Sequence, residues 1–285
     1  MYTTILSASA LKDLIDFGHK IVIFDCSFDL ANPVWGHEEY IRSHIPGSQY
    51  ADLDKDLSTH DQTIRVNGGR HPLPNRNVFS AWLASRGVEN DSQVVVYDRN
   101  GFNFCGRLWW MLKWCGHEAV AVLDGGFRGW IESGFPIAAG NDAHSEKPSE
   151  FHLSDPRVKL VDRIHVFNHL GESQLIIDAR AAPRFRGEIE PLDPVAGHIP
   201  GALNRPFASN FTEAGYFKSK DALKSEFEAL IKDSDPHRVV HHCGSGVSAV
   251  PNLIAMELAG ISGSSLYAGS WSEWSNSEPL LVERG

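Results

Sequence analysis

Basic residues are scarce in this 285-residue chain: 26 Lys and Arg stand against 36 Asp and Glu, a formal net charge of -10. Nucleic acid and anionic membrane surfaces are held through a basic footprint, so neither is an expected partner. No apolar run approaches the roughly 18 residues that a membrane-spanning helix needs. Cysteine is also rare, with Cys26, Cys105, Cys115 and Cys243 the full set. Four cysteines in a chain of this length do not make a disulfide framework. They read as thiols in a reducing compartment. Met1 to Ala10 lacks a basic segment followed by an apolar one, so no secretory leader is expected and a cytoplasmic location is. No Cys-x-x-Cys occurs, which argues against structural zinc. Neither a metal nor an organic cofactor is expected. Finally, no Lys or Arg lies between Cys243 and Arg284, an absence that decides between two chemistries below.

What is present is a chain that repeats itself. Ile21-Val22-Ile23-Phe24 runs into Asp25, and Leu175-Ile176-Ile177 runs into Asp178. Each is followed by a His-Ile-Pro-Gly turn, His44 to Gly47 and His198 to Gly201. A Val-rich strand comes next in each half: Val94-Val95-Val96-Tyr97-Asp98, then Val239-Val240-His241-His242-Cys243. Each half closes alike, with Leu123-Asp124-Gly125-Gly126 before Trp130 and Tyr267-Ala268-Gly269-Ser270 before Trp274. Four landmarks in one order, twice, indicate two homologous domains. The stretch Ala139 to Pro156 has linker composition. The expected division is residues 1–140, a linker at 141–157, and residues 158–285.

Within each half, short β-branched runs alternate with amphipathic stretches, among them Leu11 to Phe17, Phe79 to Arg86, Leu108 to Trp114 and Ala222 to Lys232. That alternation predicts an α/β fold, in each half a parallel sheet with helices on both faces. His44 and His198 recur in both halves and are expected to secure their turns. One of His241 and His242 is expected to pack inside, and Trp109, Trp110, Trp130, Trp271 and Trp274 in the core and at the domain interface.

Cys243 has a distinctive setting. It ends the strand Val239–His242 and is followed by Gly244-Ser245-Gly246-Val247-Ser248, then by a stretch able to be helical from Ala249. That places it at the carboxyl end of a parallel strand, where open α/β sheets bind ligands. The glycines let several backbone N–H groups turn inward, and the helix start adds to the field. Such a nest favours a thiolate nucleophile. Cys26, Cys105 and Cys115 lack this context. One chemistry for such a loop is phosphate-ester hydrolysis, which needs an arginine six positions after the cysteine; Ala249 stands there. The other is sulfur transfer, in which the nest holds only a persulfide.

These features resemble the rhodanese and 3-mercaptopyruvate sulfurtransferase family along nearly the whole chain. The resemblance implies two tandem rhodanese-like domains, with the first inactive because Asp98 stands where a cysteine would be. The loop Cys243-Gly244-Ser245-Gly246-Val247-Ser248-Ala249 is similar to that of the mercaptopyruvate branch, whereas thiosulfate enzymes place Arg and Lys after the cysteine. Cys243 is then the sulfur carrier, with Gly244, Gly246, Val247 and Ser248 forming the cradle. Arg184 matches a family arginine that grips a substrate carboxylate, and Arg186 is a second candidate. The branch carries another arginine nine positions after the first; here that position is Asp193, and Arg180, Arg186 and Arg205 are the expected substitutes. Asp54, His71 and Ser245 match a suggested proton relay. Asp178 and Arg180 are expected to brace the loop from below. The expected partners are a small sulfur donor and a thiol or cyanide acceptor, with thioredoxin offered by family analogy. Thiosulfate as donor, and a non-catalytic binding module, remain the alternatives.

Overall fold

Among the described residues, ten short strands carry the architecture. They are β1 (Ile5–Leu6), β2 (Ile21–Asp25), β3 (Ser48–Tyr50), β4 (Gln93–Tyr97), β5 (Val120–Leu123), β6 (Lys159–Val161), β7 (Leu175–Asp178), β8 (Leu203–Asn204), β9 (Val239–His242) and β10 (Ser265–Tyr267). The structure is a computed structural model and describes residues 1–141, 149–172 and 174–285. Part of the expected linker, residues 142–148, lies outside the described residues. The strands form two five-stranded sheets, ordered β1-β5-β4-β2-β3 and β6-β10-β9-β7-β8. Every pairing within them is parallel. Counting strands from the start of each half, the two orders are the same, so the repeat read from sequence is a repeat of topology.

Two units result. One comprises Met1–Thr59, Pro74–Arg157 and Glu213–Tyr216, the other His60–Leu73, Val158–Thr212 and Phe217–Gly285. The segment His60–Leu73 is therefore early in sequence but packs with the second unit.

The central strands β4 and β9 are buried along their whole length. This is why β4 reads as an apolar run without alternation. Around the first sheet Leu11, Ile23, Val95, Tyr97, Leu123, Phe127 and Trp130 form a core cluster; around the second, Val166, Ile176, Ile199, Val240, Tyr267, Trp271 and Trp274 do. The helix Cys105–Trp114 packs on β4 and β5 and is buried at every residue, which is why it shows no polar stripe. Helices begin earlier than apolar periodicity alone indicates. Ala8–Asp16, Arg76–Ser85 and Lys220–Ile231 each start behind a cap, in which the side chains of Ser7, Asn75 and Ser219 accept from the backbone N–H three residues on. The cap, not the first apolar residue, sets the boundary.

The paired turn histidines do the same work twice. His44 Nδ1 donates to the Tyr40 carbonyl at 2.8 Å, and His198 Nδ1 to the Phe185 carbonyl at 2.7 Å. Each ring stacks on the aromatic residue whose carbonyl it binds, with centroids 4.2 Å and 3.8 Å apart. Each backbone also bridges a late segment of its own unit, His44 to Ala138 and His198 to Glu283. Among the described residues no helix is long and apolar enough to cross a membrane.

His241 occupies the middle of the second sheet, fully buried, with Nε2 3.0 Å from Met256 Sδ. Burial, with help from His242 and Arg205, pushes its pKa from 6.5 down to about 3. The unfolded chain therefore binds a proton that the native state refuses between those values, and stability falls as pH falls through that window. The second unit is expected to lose about 1.4 kcal/mol per pH unit below pH 6 from this residue. Urea unfolding at pH 6.5 and pH 4.5 checks it: His241→Leu should flatten the dependence.

Candidate active site

The register of the second sheet delivers Cys243 to its carboxyl edge. Ile177 pairs with His241 and Asp178 with His242, so Cys243 is the first residue beyond the central strand. The loop after it is closed by the helix Val250–Leu258, whose first turn holds Pro251, a position that needs no N–H. Cys243 is 1% exposed. Its backbone is pinned from the segment after β10: Trp271 N–H donates to the Cys243 carbonyl at 2.9 Å, and Ser272 N–H to the Gly244 carbonyl at 2.8 Å. Cys243 N–H donates to Ser270 Oγ at 3.0 Å, and that hydroxyl donates to the Tyr267 carbonyl at 2.9 Å.

Ser270 makes these bonds from a left-handed backbone, φ +55°. The matching residue of the first half is Gly126, φ +58°, for which that conformation carries no steric cost. Gly246 is the loop's own left-handed residue, φ +72°, and a Cβ there would fall 2.3 Å from the Ala268 carbonyl oxygen. Gly244 differs: a Cβ would meet nothing closer than Arg184 Nη1 at 3.6 Å and Arg70 Nη1 at 3.8 Å. Both guanidiniums therefore lie over the second residue of the loop. Among the described residues, the backbone N–H groups of Ser245, Val247 and Ser248 have no protein acceptor.

The first unit has the same loop in a different state. Asp25 pairs with Tyr97, so Asp98 is the first residue beyond its central strand, in the register Cys243 holds in the other. Its carboxylate turns back into its own loop. Oδ1 accepts from the N–H groups of Asn100 and Phe102, and Oδ2 from those of Phe104 and Cys105, all at 2.9 Å. A loop of inward N–H groups thus holds an anion here, and the anion is part of the chain.

Cationic groups near the loop were only partly foreseen. Arg184 is where the sequence puts it, but its companion is Arg70. Arg186 is turned away, paired with Glu188 at 2.6 Å and largely exposed. Arg205 is spent on Asn210 and Glu226 and lies over the Phe227 ring. Arg180 is bound to Asp178 at 2.7 Å, to Glu190 at 3.2 Å and to the Gly197 carbonyl, with the Trp271 ring beneath it. These three therefore do not supply the second guanidinium. Asp178 also sits 3.5 Å from His242. Burial opposes the Asp178 charge, yet His242 and Arg180 together hold its carboxyl below the usual range.

Asp193 ties the pair together. It accepts from Arg70 Nη2 at 2.6 Å and from Arg184 Nη2 at 3.2 Å, and Arg184 also pairs with Glu190 at 2.6 Å. Arg70 escapes sequence reasoning because it lies more than a hundred residues from Arg184. It arrives on the segment His60–Leu73, which docks on the helix Ser270–Trp274: Gly68 N–H donates to Glu273 Oε1 at 2.7 Å and Arg70 N–H to Ser272 Oγ at 2.9 Å. The same segment carries His71, whose Nδ1 is 2.8 Å from Ser245 Oγ. Asp54 is exposed, belongs to the first unit, and donates its N–H to Asp52 Oδ1.

The other thiols are poor nucleophiles. Burial pushes Cys26 and Cys105 well above the usual thiol range and Cys115 to about 11. One metal-like spacing exists, the pair His165 and His169 with ring centroids 4.4 Å apart. Among the described residues it does not grow into a group of three or more His, Cys, Asp or Glu able to hold a metal ion.

With this geometry in hand, comparison with known proteins is decisive. The rhodanese-like domain matches residues 7–133 and 165–277. The chain belongs to the rhodanese-like family. It is 42% identical over 257 residues to a Pseudomonas aeruginosa protein named "Probable 3-mercaptopyruvate sulfurtransferase", covering 89% of each chain. It is 31% identical to the thiosulfate sulfurtransferase of Cricetulus griseus, over 98% of this chain and 94% of that one. Among solved structures it resembles SseA from Escherichia coli, a 3-mercaptopyruvate sulfotransferase, at 32% identity and a TM-score of 0.78, covering 95% of this chain and all of that one.

The two glycines of the loop should respond differently to a methyl group. Gly246→Ala meets backbone at 2.3 Å and is expected to cost more than about 3 kcal/mol in stability, with loss of activity. Gly244→Ala should fold as the parent does and only raise the donor KM. Ser270→Ala removes the hydroxyl but keeps the left-handed backbone, so it should destabilise by about 1–3 kcal/mol. Thermal unfolding of the three variants beside the parent checks all of this.

Proposed function

We propose that the protein transfers a sulfur atom from 3-mercaptopyruvate to a thiol or cyanide acceptor through a persulfide on Cys243. The observation that carries this reading is the Cys243 loop, whose N–H groups at Ser245, Val247 and Ser248 lack a protein acceptor while two guanidiniums lie above Gly244. Arg184 and Arg70 suit a carboxylate, since a guanidinium presents paired donors in one plane. The Cys243 thiolate attacks the thiol sulfur of the donor. The new S–S bond forms as the C–S bond breaks, and the electron pair passes to the pyruvate enolate. The enolate then takes a proton at carbon and leaves as pyruvate. The Ser245 hydroxyl, 2.8 Å from His71 Nδ1, is the group we assign to that proton delivery. In the second half-reaction an acceptor thiol or cyanide attacks the outer sulfur and regenerates the thiolate. Loop N–H groups stabilise the sulfur anion in both steps. No cofactor enters this scheme, and the kinetics should be ping-pong.

The loop of the first unit, with Asp98 where the carrier would stand, carries no sulfur in this reading. Residues 1–140, 141–157 and 158–285 remain the proposed inactive domain, linker and catalytic domain, with His60–Leu73 lent to the catalytic side. Asp54 is retained as the third member of the relay. Thioredoxin is the proposed physiological acceptor and the cytoplasm the proposed location, both by family analogy.

Thiosulfate is the second reading. The relatives named for it support this, and so does Asp193 at the position where the mercaptopyruvate branch has arginine. That donor releases sulfite, with the S–S pair leaving on it, and needs no proton. Ser245 therefore separates the two. With purified full-length protein, Ser245→Ala should cut kcat on 3-mercaptopyruvate by about a hundredfold or more and leave turnover of thiosulfate within about threefold. Cys243→Ser should abolish both. A parent kcat/KM higher for thiosulfate than for mercaptopyruvate would reverse the donor assignment, and activity surviving in Cys243→Ser would remove the persulfide.

A further inference from the structure

Arg70 and His71 reach the Cys243 loop together, on a stretch of chain with a shape of its own. Val66 N–H donates to the Leu73 carbonyl at 2.8 Å, Leu73 N–H to Asn67 Oδ1 at 3.0 Å, and Asn67 Nδ2 to the Gly68 carbonyl at 2.6 Å. Residues 66–73 are thus closed into a small arm before any docking. The arm is tied down at two points of one short helix, Ser270–Trp274: Glu273 Oε1 accepts from Gly68 N–H at 2.7 Å, and Ser272 Oγ from Arg70 N–H at 2.9 Å. The approach is close. A Cβ on Gly68 would fall 2.8 Å from Glu273 Oε1, and one on Gly69, φ +89°, would fall 2.6 Å from the Gly269 carbonyl oxygen.

The same helix holds the cysteine. Its Trp271 and Ser272 N–H groups bind the Cys243 and Gly244 carbonyls. One five-residue element therefore refers the arm to the nucleophile, and of its two ties to the arm the carboxylate is the stronger, because an ionised acceptor makes the firmer bond. Glu273 is placed with care: Gly269 leaves room for it, since a Cβ there would collide with Oε2, and that oxygen is buried. Burial, with the Glu273 charge beside it, pushes the Tyr267 phenol up. A buried carboxylate oxygen is costly, so this one is retained for the geometry it fixes. We propose that Glu273 is a positioning residue: through Gly68 it sets where Arg70 and His71 stand over the Cys243 loop, and so governs proton delivery and donor affinity without touching the donor. This rests on the reading of that loop as a sulfur-donor site. His71 Nδ1 lies 2.8 Å from Ser245 Oγ, and a hydrogen bond of that length does not survive a shift of about 1 Å.

Three full-length variants test this. Glu273→Ala removes the tie, Glu273→Asp keeps the charge but draws it back from Gly68, and Glu273→Gln keeps an acceptor oxygen in place. Hydrogen–deuterium exchange reads the arm directly and needs no turnover. In the Ala and Asp variants, exchange within residues 60–73 should rise about tenfold or more while residues 239–258 keep the parent's rates. On 3-mercaptopyruvate the same two variants should lose kcat by about thirtyfold, with a severalfold rise in KM. Thiosulfate, which needs no proton, should keep its kcat within about threefold. Glu273→Gln should restore the mercaptopyruvate kcat to within about threefold of the parent. The Asp variant keeps the test open where loss of the whole side chain prevents folding. A parallel fall of kcat on both donors would make Glu273 a scaffold residue only and overturn the proposal, as would unchanged exchange in residues 60–73. A parent inactive on 3-mercaptopyruvate would defeat the donor reading, while exchange would still decide whether Glu273 holds the arm.

Discussion

Backbone N–H groups gathered at the end of a central parallel strand must face negative charge or water, and both halves of this chain are built around that demand. In the first unit, the carboxylate of Asp98 answers it with four hydrogen bonds at 2.9 Å. In the second, the residue in the same register is Cys243, too short and too weak an acceptor to reach back in that way. The N–H groups at Ser245, Val247 and Ser248 have no protein acceptor among the described residues. One side chain at one register position thus separates a loop filled by its own anion from one that is not. The rest of the second unit follows from keeping that loop in shape without its own anion. Ser270 holds the cysteine N–H from a strained backbone, Trp271 and Ser272 take the first two carbonyls, and Gly246 admits the tight approach of Ala268.

Charge-assisted hydrogen bonds are worth about 1.5–3 kcal/mol each when made and cost a comparable amount when a buried partner is left unmatched. The arrangement at Asp98 is therefore a source of stability for the first unit, and its counterpart at Cys243 lacks it. In the function proposed above, duplication lets one copy keep the stable solution while the other carries the chemistry. The buried Asp178–Arg180–Glu190 set behind the loop compensates on the second side. It places three charged groups in contact, and removal of Arg180 would leave the buried Asp178 carboxylate without its guanidinium, which is costly enough to fix their geometry.

Much of this was legible in the sequence, for identifiable reasons. The repeat was visible because topology was duplicated with its punctuation: the apolar run into Asp, the His-Ile-Pro-Gly turn and the glycine-containing turn before a tryptophan. His44 and His198 could be assigned to the fold because they recur where only one half carries a cysteine. Cys243 was legible because strand, glycine loop and helix start are all local. Arg70 and the role of Ser270 were not, since each acts across a long separation and the repeat landmark that contains Ser270 does not point to Cys243. The sequence search for a second arginine looked near Arg184, and it found residues whose charges are already spent: Arg180 on Asp178, Arg186 on Glu188, Arg205 on Glu226. His71 was found by resemblance, but its placement in the second unit depends on Gly68 and Arg70 bonding to the helix Ser270–Trp274, which no spacing rule encodes.

That placement also says why the reactive side cannot be cut from the chain at the linker. Residues 158–285 contain the cysteine, the loop and Arg184, yet Arg70 and His71 reach them on a segment that leaves and re-enters the first half between Thr59 and Pro74. A fragment beginning after the linker would keep the N–H cradle and lose one of two guanidiniums together with the partner of the Ser245 hydroxyl. Asp193 would then face Arg184 alone, and the balance of charge above Gly244 would tip to the negative side, against any anionic donor. The first half is thus required by the site's electrostatics even though its own loop is filled, because the cation that balances Asp193 is carried in its sequence.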